Sequence, residues 1–330
     1  MHTAERATLA RLPSGVRIET TVHRYGTGEG PTVYVQAAQH GRELNGTELL
    51  RRLHGRLVDE ASGPDPADLD GTLIAVPVAD PLTFDRVSYT TPEAIDSAAP
   101  NMNRCWPGDP EGSIHERMAA RLWAEIEGAD AIVDLHTGSP EMLTHTVYLR
   151  GNAESRRLAE AFGTDLLLAE AAGDEADAEW ADRNFGGKLR VAATREGIPS
   201  ITPELGSNKQ VEEAAIRTGL DGLIGVLQQL GLLDGEAEPW DGTRARNHLG
   251  RVRASESGLF VVDEGVDLGM AVEAGDAFGT VYEPSTYEAL QAATADREGI
   301  VYSVARESTV TAGQTLVGIA ERLRSKERNG

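Results

Sequence analysis

The stretch Thr32-Val33-Tyr34-Val35-Gln36-Ala37-Ala38-Gln39-His40-Gly41-Arg42-Glu43 carries an apolar run followed directly by polar side chains. The run Thr32–Ala38 begins after Gly30-Pro31, and this pattern predicts a buried strand. Helical spacing of leucines then predicts a helix over Asn45–Val58. His40 and Glu43 therefore fall on a strand-to-helix loop. Sites in open α/β sheets lie outside the carboxyl ends of strands, so this loop is a candidate site.

Strands and helices alternate along the first 240 residues. Further strands are predicted at Thr72–Val78, Ala131–Thr137, Thr146–Arg150 and Ile198–Thr202. Helices are predicted from Ser113 to about Glu127, where Ser113 and Glu116 form a capping box, and over Asn152–Phe162 and Asn208–Leu233. Ala61–Asp70 and the long segment Val87–Asp109 have the composition of loops. The alternation predicts an α/β fold with a mixed or parallel sheet.

The pattern changes after about Pro239. Short alternating segments separated by turn residues follow at Gly250–Ala254, Leu259–Val262, Ala277–Tyr282, Gly299–Val304 and Leu316–Ala320. These segments predict a small all-β domain. The expected organisation is therefore an α/β domain over 1–240, which carries the candidate site, and a small β-barrel or sandwich domain over 241–330, with the linker at Asp234–Gly242.

The composition restricts the classes of partner. The net charge of -22 repels nucleic acid and anionic lipid, so neither is an expected partner. No apolar run reaches the ~18 residues needed to span a bilayer. The segment Met1–Leu12 lacks the apolar region of a signal peptide, and a cytoplasmic location is therefore expected.

Lysine and cysteine are both scarce. The lysines are Lys188, Lys209 and Lys326, whereas the acidic residues are dispersed along the chain. This composition favours adaptation to a high-salt (halophilic) cytoplasm, where salt screens self-repulsion, although a merely acidic protein is the alternative. Cys105 is the single cysteine, so an intrachain disulfide and a multi-thiolate zinc site are excluded. Any metal must be bound by histidine and carboxylate.

His40, Glu43 and His136 are a candidate ligand set for one catalytic zinc, which usually keeps three protein ligands and leaves a fourth position to water. His136 follows the predicted strand that begins at Ala131, and a neighbouring position in the sheet would bring it to the same edge as His40. Asp134 lies two residues earlier, on the same sheet face, and could hydrogen-bond a ligand imidazole. His-x-x-Glu alone is a weak signal, and two exposed polar residues at a helix start remain the alternative.

Four fragments together resemble a known family. They are His40-Gly41-Arg42-Glu43, Asn103-Arg104 with Pro107-Gly108, Asp134-Leu135-His136-Thr137-Gly138 and Pro203-Glu204-Leu205-Gly206. In order and spacing they resemble the succinylglutamate desuccinylase and aspartoacylase family of zinc-carboxypeptidase-like hydrolases. The C-terminal segment resembles the small β domain of these proteins.

The resemblance implies a fold and a set of roles. It implies a zinc-carboxypeptidase-like mixed sheet flanked by helices, with one Zn²⁺ per chain held by His40, Glu43 and His136. Glu204 would be the general base, and Arg86 would stabilise the oxyanion. Asn103 and Arg104 would bind a substrate carboxylate.

Three functional hypotheses follow. The first is an amidohydrolase that removes the acyl group from a small N-acyl amino acid. The second is a carboxypeptidase-like peptidase that acts on a short peptide. Access to the cleft distinguishes the two, because a C-terminal domain packed over the cleft would exclude polypeptides. The third is a non-catalytic binding module. Its carrier form needs a lysine in an exposed hairpin, and Gly242–Ser325 contains none. The sequence leaves homo-oligomer formation open.

Overall fold

The computed structural model describes residues 1–58, 69–138, 141–170, 180–181, 184–307 and 309–323, with the backbone alone at 247–250. The prediction of a loop over Ala61–Asp70 therefore lies almost entirely outside the described residues. In the described ranges, helices α1–α6 span Asn45–Val58, Pro81–Phe84, Ile114–Ile126, Ala153–Phe162, Leu189–Arg195 and Glu213–Gln229. A single 3₁₀ turn covers Met102–Arg104.

The strands of the first 240 residues are β1–β10. They span His2–Arg11, Arg17–Gly26, Thr32–Gln36, Thr72–Val76, Ala131–Asp134, His136–Gly138, Glu141–Met142, His145–Leu149, Leu166–Glu170 and Ser200–Ser207. Strands β11–β18 span Thr243–Arg253, Gly258–Val262, Ala271–Val272, Ala277–Tyr282, Ala289–Thr294, Gly299–Val304, Thr309–Val310 and Thr315–Arg322.

Across the described residues, one mixed sheet has the order β1-β2-β4-β3-β5-β10-β8-β9-β11-β18-β16-β13. Its centre, β4-β3-β5-β10, is parallel. Strand β6 pairs with β10 beyond the end of β5, in parallel. This arrangement brings the carboxyl ends of β3 and β5 to the same edge of the sheet, beside the later part of β10.

Helices cover both faces of this sheet, as expected where parallel strands are buried. Val33 and Val35 of β3 pack with Leu53 of α1 and the α4 and α6 side chains, whereas Tyr34 packs with Met118 of α3 on the opposite face. Successive residues of a strand point to opposite faces, so one short apolar strand serves both cores. The predicted α/β class, a mixed sheet flanked by helices with a separate antiparallel sheet, is confirmed.

The C-terminal segment contributes to two sheets. Strand β11 lies parallel to β9 and extends the large sheet, whereas β15, β14, β12 and β17 form a separate antiparallel sheet. Phe260, Phe278 and Val317 belong to one buried cluster between these strands. The large sheet is therefore continuous across residue 240, and the division into domains 1–240 and 241–330 stays a prediction.

Most predicted elements occur with shifted ends. Helix α1 begins at Asn45 as predicted and is described to Val58, where the described range ends, and the capping box of Ser113 and Glu116 begins α3. Helix α6 is shorter than predicted, because the backbone N–H of Glu212 donates to Asn45 and holds the preceding turn against α1. The elements not predicted are strands β1, β2, β7, β9, β13, β15 and β17 and helices α2 and α5. None of the helices in the described part of the chain is long and apolar enough to cross a membrane.

Candidate metal centre and active site

The turn after β3 presents His40 to the interior. Ala38, which is fully buried, has a positive φ of 50°, an uncommon conformation for a non-glycine residue that reverses the chain here. A Cβ on Gly41 would lie 1.9 Å from the Thr83 carbonyl oxygen, so only glycine fits at this position. Both features fix the loop that carries His40 and Glu43.

Glu43 is the centre of the cluster. Its two carboxylate oxygens lie 2.8 Å from Nδ1 of His40 and 2.9 Å from Nδ1 of His136. All three residues are at most 4% exposed. Burial raises the pKa of Glu43, but the two imidazoles outweigh this effect and hold the pKa well below its usual range. Glu43 is therefore a buried carboxylate anion that faces two imidazoles.

Each imidazole uses its second nitrogen on another side chain. Nε2 of His136 lies 3.0 Å from the Asp134 carboxylate, and Nε2 of His40 lies 3.3 Å from the Asn101 amide oxygen. Gln36 and Gln39 donate to Asp134 in turn. Burial lowers the pKa of His136, but Asp134 and Glu43 raise it by more. The pKa of His136 is therefore well above its usual value. Asp134 therefore orients the His136 ring with Nδ1 toward Glu43.

The donor set fits a divalent metal ion. Two nitrogens and a carboxylate oxygen, all within 4.8 Å of one another, converge on one point. Neighbouring donors around tetrahedral zinc are separated by about 3.4 Å, given bonds of about 2.0–2.2 Å. The observed 2.8 and 2.9 Å separations would open by about half an ångström to admit the ion. His40, Glu43 and His136 are thus the residues that could hold the metal.

Glu204 lies beside the ligands. It pairs with His136 across β10 and β6, and both line a cavity of about 250 Å³ together with His40, Glu43 and Asn103. Burial raises the pKa of Glu204 to about 7. His136 opposes this rise and Glu43 adds to it, while Lys188 and Arg190 also oppose it. A carboxyl with this pKa can both accept and return a proton near neutral pH.

A second cavity, of about 410 Å³, shares Glu204, Lys188 and Arg190 with the first. Its opposite wall comes from the C-terminal segment, which contributes Arg251, Tyr302 and Gln314 among others. The space beside Glu204 is therefore bounded by both parts of the chain.

Cationic side chains surround the Phe185 ring next to these cavities. The Lys188 Nζ lies 3.5 Å from the ring centroid, and the guanidinium carbons of Arg104 and Arg190 lie 5.5 and 5.3 Å from it. Arg190 donates through two nitrogens to the buried Glu170 carboxylate. Burial, with help from Arg190, lowers the pKa of Lys188 well below its usual value. Glu170 offsets the charge of Arg190, and burial disfavours the protonated form of Lys188, so an anionic ligand group here would act mainly by restoring the charge of Lys188.

The structure brings together most of the predicted site residues. His40, Glu43, Asn103, His136 and Glu204 line one cavity, and Asp134 contacts His136 from behind. Arg104 is half-buried at the border, where it donates to the Asn103 carbonyl oxygen. Arg86 lies in the exposed turn after α2 and is not among the described residues that line either cavity.

Sequence reasoning gave no role to several residues of the site, some in the cavity lining and one, Gln39, beside it. Tyr89 stacks on His40 with ring centroids 4.0 Å apart, and Gln39 contacts both Asp134 and His136. Lys188 and Arg190 come from the segment around α5. Gln39 could have been predicted from the sequence, because it directly precedes His40. No sequence motif marks Tyr89.

The site places two imidazoles and a carboxylate at the strand ends of an α/β sheet, beside another buried carboxylate. Metallohydrolases use donor sets of this kind. Residues 29–230 match the family model of the succinylglutamate desuccinylase/aspartoacylase catalytic domain. The chain belongs to this family, and membership indicates a deacylase of N-acyl amino acids.

Relatives agree with this assignment. The N-alpha-acetyl-L-2,4-diaminobutyric acid deacetylase of Halomonas elongata is 27% identical over 89% of this chain and 83% of its own length. The crystal structure of a succinylglutamate desuccinylase/aspartoacylase from Rhodobacter sphaeroides has a TM-score of 0.82 at 25% identity, covering 98% of this chain and 96% of that one. The product-bound ectoine utilization protein EutE (DoeB) of Ruegeria pomeroyi, 24% identical, has a TM-score of 0.80 over 97% and 95% of the two chains, and this likeness shows the fold.

Proposed function

We propose that the protein is a zinc-dependent amidohydrolase that removes the acyl group from an N-acyl amino acid. The observation that carries this proposal is the convergence of His40, Glu43 and His136 with Glu204 in one cavity. Family membership supports the same reaction class.

When bound, zinc would lower the pKa of water and polarise the acyl carbonyl. Glu204 would hold the attacking water by a hydrogen bond and take its proton. The same carboxyl group would then return the proton to the amine that leaves. The burial and the raised pKa of Glu204 support its action first as a base and then as an acid. A carboxyl group with an ordinary pKa is almost fully ionised near pH 7 and holds a proton poorly.

Cationic side chains support an amino acid product with a free carboxylate. Arg104, Lys188 and Arg190 cluster around Phe185 beside the cavity, and Asn103 is one of the residues that line it. We assign the substrate carboxylate to this side, with Asn103 and Arg104 as its predicted partners. Arg104, with a Lys188 side chain whose protonation a bound carboxylate would favour, would offset the repulsion between an anionic substrate and the net charge of -22.

The shape of the cavities favours a small substrate over a peptide. Arg251, Tyr302 and Gln314 of the C-terminal segment stand opposite Lys188 and Glu204 across the second cavity. A polypeptide extending from the scissile bond would meet this wall. The carboxypeptidase-like alternative therefore has less support.

A substrate panel tests the proposal. We would measure amine release from the N-acetyl and N-succinyl derivatives of glutamate, aspartate and 2,4-diaminobutyrate, and from a peptide with the same scissile bond. We expect at least one acyl amino acid to be hydrolysed and the peptide to be resistant. Preferential hydrolysis of the peptide would establish the alternative, and no hydrolysis of the panel by metal-loaded protein would count against a deacylase.

Asp134→Asn is expected to weaken metal binding by about 10–100-fold, because the carboxylate that orients His136 becomes a neutral amide. Metal affinity can be measured by competition with a chromophoric chelator. Asp130→Asn, at the start of the same strand and beyond reach of the ligands, is the matched control. Unchanged affinity in Asp134→Asn would show that Asp134 does not support the ligand.

Arg86→Ala is expected to keep kcat within about threefold of the parent, because Arg86 is exposed in the turn after α2. Loss of an oxyanion donor would instead lower kcat by about 10²–10³-fold. Steady-state kinetics on the best substrate of the panel distinguishes these outcomes. A fall of the larger size would establish the oxyanion role predicted from the sequence.

A further inference from the structure

Three histidines cluster on a different part of the protein from the active site. His2 lies on β1, His23 on β2 and His54 on α1. His2 pairs with Tyr25 across β1 and β2, and His23 lies two residues before Tyr25, so all three rings share one face of the sheet. Helix α1 packs on this face and adds His54.

The three imidazoles are close enough to share one ligand. Nε2 of His2 lies 3.1 Å from Nδ1 of His23, and the centroid of the His54 ring lies 4.9 and 5.6 Å from those of His2 and His23. Each offers a ring nitrogen such that all three nitrogens lie within 4.8 Å of one another. All three side chains are half-buried, so solvent can reach the cluster.

We infer that His2, His23 and His54 form a second metal site, which binds one divalent transition-metal ion of the zinc type through three imidazole nitrogens. Imidazole suits zinc, copper and nickel, and a set of three leaves a position open to water. None of the three residues takes part in the proposed deacylation.

Tyr25 supplies the supporting contact that metal-bound histidines usually have. Its hydroxyl lies 2.8 Å from Nδ1 of His54, and the residue is only 3% exposed. If Nδ1–H of His54 donates to this hydroxyl, the lone pair of Nε2 remains available to a metal. A tyrosine hydroxyl can also donate to Nδ1, so this contact holds the His54 ring in place without fixing its tautomer.

The electrostatic surroundings keep lone pairs available. Burial lowers the pKa of both His2 and His23, and their positive neighbours, including His54, lower it further. The N-terminal ammonium group adds to the effect on His2. Neutral imidazole is the form that binds a metal, so these rings require little deprotonation at pH 7.

The cluster has a route from solvent. His23, Tyr25 and His54 line one end of a groove of about 410 Å³, whose remaining wall is largely apolar and includes Leu50 and Phe84. A hydrated ion can approach along this groove. The distance of 3.1 Å between Nε2 of His2 and Nδ1 of His23 is already close to the spacing of about 3.4 Å between donor atoms around tetrahedral zinc.

Metal counting on the full-length chain, with any affinity tag removed, tests the inference. Zn²⁺ is titrated into metal-free wild type, His54→Gln and His2→Gln, and bound zinc is counted after equilibrium dialysis. We expect each histidine variant to bind about one Zn²⁺ fewer than the wild type. His136→Ala should also bind about one fewer, by losing the active-site ion instead.

Tyr25→Phe separates a positioned site from a chance cluster. It keeps all three ligands, and we expect it to weaken the second Zn²⁺ by about tenfold without changing the count at saturation. A melting temperature equal to that of the wild type, measured without metal, verifies that the His2→Gln variant is folded. Equal zinc counts in the wild type, His2→Gln and His54→Gln would overturn the inference, whatever the deacylase assays show.

Discussion

Glu204→Gln is expected to lower kcat by about 10³–10⁴-fold, at the upper end of what a general base contributes. The amide has nearly the same shape and can still hydrogen-bond water, but it cannot take a proton from it. Because Glu204 is not one of the three donor side chains, the variant should keep its metal. The loss corresponds to about 4–5.5 kcal/mol of transition-state stabilisation.

The experiment compares single-turnover rates and metal content in the same preparations. Glu196→Gln is the control, because Glu196 is an exposed glutamate that follows α5 and lies outside the cavity lining. We expect the control to match the parent in both measurements. Full turnover by Glu204→Gln would remove Glu204 as the base and direct attention to another proton acceptor in the cavity.

Glu43→Gln is expected to abolish both metal binding at the active site and turnover, with a loss of at least about 10³-fold in kcat. The Glu43 carboxylate contacts both His40 and His136. A neutral amide cannot supply the negative charge that balances a divalent ion between two imidazoles. The substitution keeps the side-chain volume, so the surrounding core need not rearrange.

Glu48→Gln provides the comparison within the same loop and helix. Glu48 lies in the first turn of α1 and pairs with Arg51 and Arg52 at the surface, away from the cavity. We expect it to retain active-site metal and activity. Active, metal-loaded Glu43→Gln would show that the ion, if one is needed, is held elsewhere.

The ligand set could be predicted because strand ends and spacing carry the information. One apolar run ends at His40-Gly41-Arg42-Glu43, and a second ends at Asp134-Leu135-His136. The ends of two parallel strands lie at the same edge of a sheet when the strands are neighbours, and β3 and β5 pair directly. Glu204 was implied by the family resemblance. Its position opposite His136 follows from the pairing of β10 with β6.

Other parts of the site depend on contacts that leave no local pattern. Tyr89 lies in a long irregular segment, and only the folded path brings it onto His40. Strand β1 was missed because most of its side chains are exposed, so its apolar alternation is weak. Arg86 followed a predicted strand and was assigned to the site, but the short helix α2 directs the chain so that Arg86 faces solvent.

The three-histidine cluster shows the same limit. His2, His23 and His54 lie on three elements and are separated by 21 and 31 positions, with no spacing typical of a metal motif. Pairing of β1 with β2, and packing of α1 on that face, are what bring them together. Local sequence patterns could not reveal this site.

Anomalous diffraction at the zinc absorption edge, from crystals of the active protein grown without added metal, is the most direct test of the account. We predict a peak about 2.0–2.2 Å from Nδ1 of His40, Nδ1 of His136 and the Glu43 carboxylate. Fully active crystals without a peak at these three side chains would contradict the assignment of the metal centre.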